Sequence, residues 1–198
     1  MKAILVALST VAALAGCSSN GEDVQGPPPM ADSMSPLSAQ GYMAMAASSD
    51  LFEIESSRLA LQQSQNPAVR QFAQMMITDH TRSTQELTST AQSAGLNPPP
   101  PSLLPPQQAA LDRVRSASSM DFDATYKREQ IAAHQQALAL HQNYAASGDN
   151  TALRGVASRV AGVVQNHYSM AQSLPEYSAQ PQPMQQQPEQ VQRAGERG

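Results

Sequence analysis

His80, His134 and His167 are the residues whose type and spacing could do chemistry. Each falls on a helical stripe of otherwise apolar residues. Counting by three and four from Val69 gives Ala73, Met76, His80, Leu87, Ala91 and Ala94, a core-facing line interrupted by one imidazole. His134 follows Ile131 by three and precedes Leu138 by four, with His141 seven residues on. His167 follows Val160 by seven and Val163 by four, and precedes Leu174 by seven. Glu55 is the matching oddity upstream, set between Leu51 and Leu59 at four-residue spacings, while Glu53 should point elsewhere into solvent. Neutral imidazoles with one carboxylate suit zinc, iron, copper or nickel. The competing reading is a set of packed histidines, each satisfied by one of the many Ser and Thr hydroxyls. His141 lies nearer a turn and is expected to be exposed.

Several other chemistries find no support in the sequence. Di-iron carboxylate proteins place Glu-x-x-His on two helices, because three-residue spacing puts both ligands on one face. Here Ile77, Ile131 and Val164 stand three before His80, His134 and His167, which argues against ferroxidase or oxygenase chemistry at a carboxylate-bridged site. There is no Gly-x-Ser-x-Gly elbow and no phosphate-cradling loop. Asp79 points about 100° from its neighbour His80, so it is not expected to orient that ring. Acid–base catalysis by Glu55 with a histidine has no substrate pocket legible beside it.

The elements that must position these side chains read as helices. Ala, Gln, Ser, Met and Leu dominate, and aromatics are 4%, which favours helix over sheet. A first long helix is expected over roughly 38–64, with Met43, Ala47, Leu51, Ile54, Leu59 and Leu61 inward. Asn66-Pro67 opens a second, which Gly95 stops. The run LNPPPPSLLPP forbids helix and builds a stiff connector; a short helix, QQAALDRVRSAS, follows it. A third long helix starts near Asp121 with Phe122, Tyr126, Ile131, Leu138 and Tyr144. Gly148-Asp149-Asn150 ends it and opens a fourth, carrying Leu153, Val156, Val160, Val163, His167, Met170 and Leu174. Two tight turns and one longer connector suit an antiparallel four-helix bundle. Counted from the two tight turns, Glu55 is about 10 residues in, His80 and His134 about 15, and His167 about 18. That is a spread of roughly 12 Å at 1.5 Å per residue.

The ends read differently. MKAILVALSTVAALAGCSSN has a positive start at Lys2 and an apolar run over 4–14 that is short for a bilayer span. It closes on Leu14-Ala15-Gly16-Cys17, which looks like a bacterial lipobox and implies cleavage before Cys17 and lipidation of its sulfur. The chain has one Cys, so no disulfide or thiolate metal site is left to the mature protein. Ser18 rather than Asp follows it, and the expected location is the periplasmic face of the outer membrane. Acyl chains contribute roughly 0.8 kcal/mol per buried methylene, so two or three anchor stably. The expected organisation is a signal peptide over 1–16, a lipidated flexible tether over 17–38, a helical domain over 39–174 and a disordered Gln/Pro-rich tail over 175–198. Plain disorder is the reading of that tail, with contacts to envelope partners as the alternative. A net charge of −4 without a basic patch argues against nucleic acid as a partner.

The stretches SSDLFEIESSRLALQQSQNPAVRQFAQMMITDHTRSTQEL, FDATYKREQIAAHQQAL and VVQNHYSMA resemble the bacterial domain-of-unknown-function 4142 family over roughly 39–174. The resemblance implies a ferritin-like, all-α bundle that is exported and whose biochemical role is largely unassigned. Its recurrent polar core positions correspond to Glu55, His80, His134 and His167. Three functional readings follow: a lipid-anchored envelope bundle that binds metal through core histidines, a metal-dependent enzyme using the same cluster, or a purely structural envelope protein.

Overall fold

The computed structural model describes residues 34–176. The expected signal peptide, Cys17, most of the expected tether and most of the Gln/Pro-rich tail lie outside the described residues. Within them the chain forms five helices and no strand: α1 (Ala39–Gln63), α2 (Pro67–Ser93), α3 (Pro105–Ser116), α4 (Phe122–Ser147) and α5 (Thr151–Ser173). No described helix is long and apolar enough to cross a membrane.

Local chemistry sets the boundaries. Ser38 caps α1 by accepting from Gly41 N at 3.1 Å, Asn66 caps α2 by accepting from Ala68 N at 2.9 Å, and Asn150 caps α5 by accepting from Leu153 N at 3.1 Å. Pro67 and Pro105 occupy first-turn positions, where a missing N–H costs nothing. Gly95 ends α2 with φ 74°, a left-handed conformation that favours glycine. The proline-rich connector is tied down where Leu104 N donates to Ser48 Oγ of α1 at 2.8 Å.

The long helices contact one another in a closed ring, α1 with α2, α2 with α5, α5 with α4 and α4 with α1, while α3 packs on α1 and α4. Inside the ring the apolar core comes in two parts. One holds Tyr42, Met43, Leu87, Tyr144, Leu153, Val156 and Val164. The other holds Val69, Phe72, Met76, Val114, Phe122, Tyr126 and Leu174. On α2, His80 lies between Met76 of one part and Leu87 of the other; on α5, His167 lies between Val164 and Ala171. The histidines thus belong to a polar layer that divides the core.

Three inward faces differ from expectation. On α1 the buried residues are Tyr42, Met43, Ala46, Ala47, Phe52 and Ala60 together with Ser48, Ser49, Asp50, Glu53, Ser56 and Ser57, while Leu51, Ile54, Leu59 and Leu61 are only partly covered. Because α1 is packed against by α2, α3 and α4, small and polar residues are enclosed along with apolar ones. On α5, Val164 is buried and Val163 and Met170 are exposed. On α2, Ala94 is exposed as well.

Candidate metal centre

Three helices each bring one imidazole to the polar layer: His80 from α2, His134 from α4 and His167 from α5. All three are buried. Their ring centroids form a near-equilateral triangle with sides of 5.6 Å (His80–His134), 5.5 Å (His80–His167) and 5.6 Å (His134–His167). The heights along the bundle therefore agree more closely than residue counting from the turns suggests. Each residue offers one ring nitrogen, and these nitrogens lie within 4.8 Å of one another.

The hydrogen bonds determine which nitrogen is free. His80 Nδ1 donates to Asp50 Oδ1 at 2.8 Å, and Thr84 Oγ1 holds the other Asp50 oxygen at 2.9 Å. His134 Nδ1 donates to the Gln130 carbonyl, one turn earlier, at 2.8 Å. His167 Nε2 donates to Asp79 Oδ2 at 3.0 Å. An oxygen acceptor on one nitrogen leaves the lone pair of a neutral imidazole on the other. Those other atoms, His80 Nε2, His134 Nε2 and His167 Nδ1, are buried and have no hydrogen-bond partner. Three orphaned nitrogens at one place are costly in a packed core, and a borderline metal ion would satisfy all three. The oxygen acceptors behind the rings are the outer-shell partners typical of ligating histidines.

Charge is distributed unevenly. Burial pushes the His134 imidazole down to about 3, with the neighbouring His80 and His167 adding to the effect. Burial and His80 lower His167 too, against the pull of Asp79. For His80, burial works downward, but the hydrogen bond and charge of Asp50, with Glu53 and Asp79, outweigh it and leave the ring raised.

The carboxylate expected at this centre is a different one. Glu55 is half-buried at the surface and pairs with Arg58. Glu53 is the buried residue, with Oε1 3.5 Å from His134 Nδ1. Burial raises its carboxyl to about 8, opposed by His80 and the Gln130 side chain. The face of α1 that is enclosed by its neighbours carries Glu53, and the leucine spacing that singled out Glu55 traces a flank. Glu53 sits behind His134, on the side of Nδ1, and outside the group of nitrogens that could share an ion.

Of two further residues, Asp79 behaves toward His80 as expected and His141 departs from expectation. Asp79 does not orient its neighbour His80, but its carboxylate reaches across to α5 and holds His167. The step of about 100° from His80 along α2 turns Asp79 toward α5 and makes that cross-helix bond available. His141 is buried, its Nδ1 3.0 Å from the Tyr42 hydroxyl, and burial lowers it to about 4. Asp50 carried no signal in the sequence analysis; an acidic residue among small residues on a helix face that is not conspicuously apolar gives little to find it by.

A surface groove borders the buried centre. This groove, of about 300 Å³ between α2 and α5, is lined by His80 and His167 with Asp79, Glu86, Arg159 and Val163 among others, and Arg159 Nε donates to Glu86 at 2.8 Å across it.

This fold and cluster define an all-helical protein with a buried three-histidine centre. The chain belongs to the family described as Domain of unknown function (DUF4142), whose model matches residues 24–174. Solved structures with the same fold include CopM in the Cu(II)-bound form, with a TM-score of 0.59 and 18% identity, covering 69% of this chain and 94% of that one. CopM in the Cu(I)-bound form aligns with a TM-score of 0.58 and 20% identity over 69% and 94% of the two chains. CopM in the Ag-bound form aligns with a TM-score of 0.57 and 19% identity over 69% and 93%. No curated protein matches the chain.

Proposed function

We propose that this protein is a lipid-anchored envelope protein that binds a transition-metal ion through His80, His134 and His167. The observation that carries the reading is the convergence of three buried ring nitrogens without hydrogen-bond partners, each on a ring held from behind by an oxygen. Such a site takes copper, zinc, nickel or iron on donor chemistry alone. The solved neighbours are copper-bound and silver-bound forms, which supports testing copper first. We read α1, α2, α4 and α5 as an antiparallel, ferritin-like four-helix bundle, with α3 as an added helix between its halves. Export and anchoring at Cys17, on the periplasmic face of the outer membrane, follow from the lipobox and belong to the same proposal.

The groove between α2 and α5 supports a second reading. It runs past His80 and His167, whose free nitrogens lie buried beneath it, and a metal-dependent enzyme with an open coordination position would need that wall to open. Metal analysis of protein purified without an affinity tag tests the first reading. About one equivalent of a transition metal, lost in a His80→Ala/His134→Ala double variant that remains helical, is the expected result. Metal-free wild type that takes up no added copper, zinc or nickel would overturn it.

A further inference from the structure

Behind the three rings stand three carboxylates that, among the described residues, pair with no lysine or arginine: Asp50 and Asp79, which hydrogen-bond the imidazoles, and Glu53, whose carboxyl burial raises to about 8 and so keeps protonated near neutral pH. Asp50 is buried, and its two oxygens are taken by His80 Nδ1 and Thr84 Oγ1. Asp79 lies at the groove and bonds His167 Nε2. Among the described residues, neither forms an ion pair with a lysine or arginine, and the cationic partner of each can only be an imidazole. Glu86, in the same groove, differs: Arg159 neutralises it.

A carboxylate removed from water is costly unless an opposite charge lies close. Three neutral imidazoles and the Gln130 carbonyl contribute no charge, so with Glu53 protonated the ligands and their two carboxylate partners, Asp50 and Asp79, sum to −2. A divalent cation balances that sum, and a monovalent one leaves half of it uncompensated. The coupling between metal and carboxylate runs through the ring, because an anion hydrogen-bonded to one imidazole nitrogen raises the basicity of the other.

We propose that Asp50 and Asp79 set the charge class of the bound ion, making the three-histidine centre select divalent over monovalent cations. The inference rests on the metal-site reading above. Asp50 and Asp79 are positioning residues here: they touch the ligands and leave the ion to the rings. They act from two helices, α1 and α2, on rings carried by α2 and α5, so each can be removed separately.

The test is a pair of titrations of metal-free protein, with Zn²⁺ and with Ag⁺, on wild type, Asp79→Asn and Asp50→Asn. Both ions are redox-inert under these conditions, so oxidation state does not change during the measurement. Asparagine keeps an oxygen acceptor for the imidazole and removes the charge. Each variant should lose about 10–100-fold in Zn²⁺ affinity and only about the square root of that, roughly 3–10-fold, toward Ag⁺, because the Coulomb energy scales with ion charge, so the ratio of the two affinities falls. The ratio between variants cancels the intrinsic preference of imidazole for one ion over the other. Asp79 is part-exposed at the groove, so its variant keeps the test available if Asp50→Asn does not fold. Equal losses for both ions would overturn the charge-class role while leaving the metal site intact. Wild type that binds neither ion would overturn the site and this inference together.

Discussion

Asp79 and His167 sit on different helices, and their 3.0 Å hydrogen bond joins α2 to α5 beside the open groove. Asp79 follows Thr78 on the same helix that carries His80, so one turn of α2 supplies both a candidate ligand and the group that holds another. A single helix thereby registers two corners of the triangle, and small rotations of α2 would be felt at both.

If the triangle binds metal, chelation and mutation should converge. A metal held 100-fold above its dissociation constant stabilises the native state by about 2.7 kcal/mol. Removing it with a chelator should lower the unfolding midpoint of wild type. His80→Leu should abolish that shift, because leucine fills the space without a lone pair. His80→Ala should lose about 1–3 kcal/mol more through cavity and hydrogen-bond loss. A wild type indifferent to chelator, beside a His80→Leu variant of equal or greater stability, would defeat metal binding at this centre.

Glu55→Gln should change stability by less than about 0.5 kcal/mol, because the residue is a surface partner of Arg58. Its metal content should equal that of wild type. Glu53→Gln is the informative change. The Glu53 carboxyl is raised from 4.5 to about 8 in the fold, so between those values the native state holds a proton the unfolded chain releases. Wild-type stability from this group falls as pH rises from 4.5 toward 8. Glutamine resembles the protonated acid and carries no such dependence. Urea midpoints of metal-free protein at pH 5 and pH 8 should show the advantage of Glu53→Gln growing with pH; parallel profiles would refute the assignment.

The acid limb should have another origin. His134 and His141 are lowered from 6.5 to about 3 and about 4, so the unfolded chain takes up protons that these buried rings refuse. Stability is then lost as pH falls below 6.5, at about 1.4 kcal/mol per pH unit for each ring not yet titrated in the fold. His141→Gln should remove one share of that slope, measured on metal-free protein between pH 6.5 and pH 4.5. An unchanged slope would place the acid sensitivity elsewhere.

Cys17→Ala should abolish incorporation of labelled fatty acid and release the protein from the membrane fraction in a bacterial host. Persistent labelling of the variant would rule out anchoring at that residue.

The histidines were legible in the sequence because each one broke an apolar helical line, and a line of that kind reports packing directly. The helix boundaries were legible for a similar reason: Asn66-Pro67, Gly95 and Gly148-Asp149-Asn150 carry the capping chemistry in their own side chains and backbones. Where the reading failed, hydrophobicity and burial had parted company. Helix α1 is enclosed by three neighbours and buries serines, Asp50 and Glu53 on the face its leucines do not mark. Periodicity follows apolar side chains, so it selected Glu55. The bond from Asp79 to His167 went unread and His141 was misplaced, because the partners lie 88 and 99 residues apart, and no local spacing reports a bond across the bundle.

The proline-rich connector between Gly95 and α3 divides the centre unequally. The chain before it contributes His80 with Asp50 and Asp79; the chain after it contributes His134 and His167. Neither half carries a complete set, and a metal ion bound by all three rings would bridge two pieces of chain that a single cut in the connector would separate. In such a split protein the ion would become an assembly signal, and recovery of the whole from its halves would follow metal concentration.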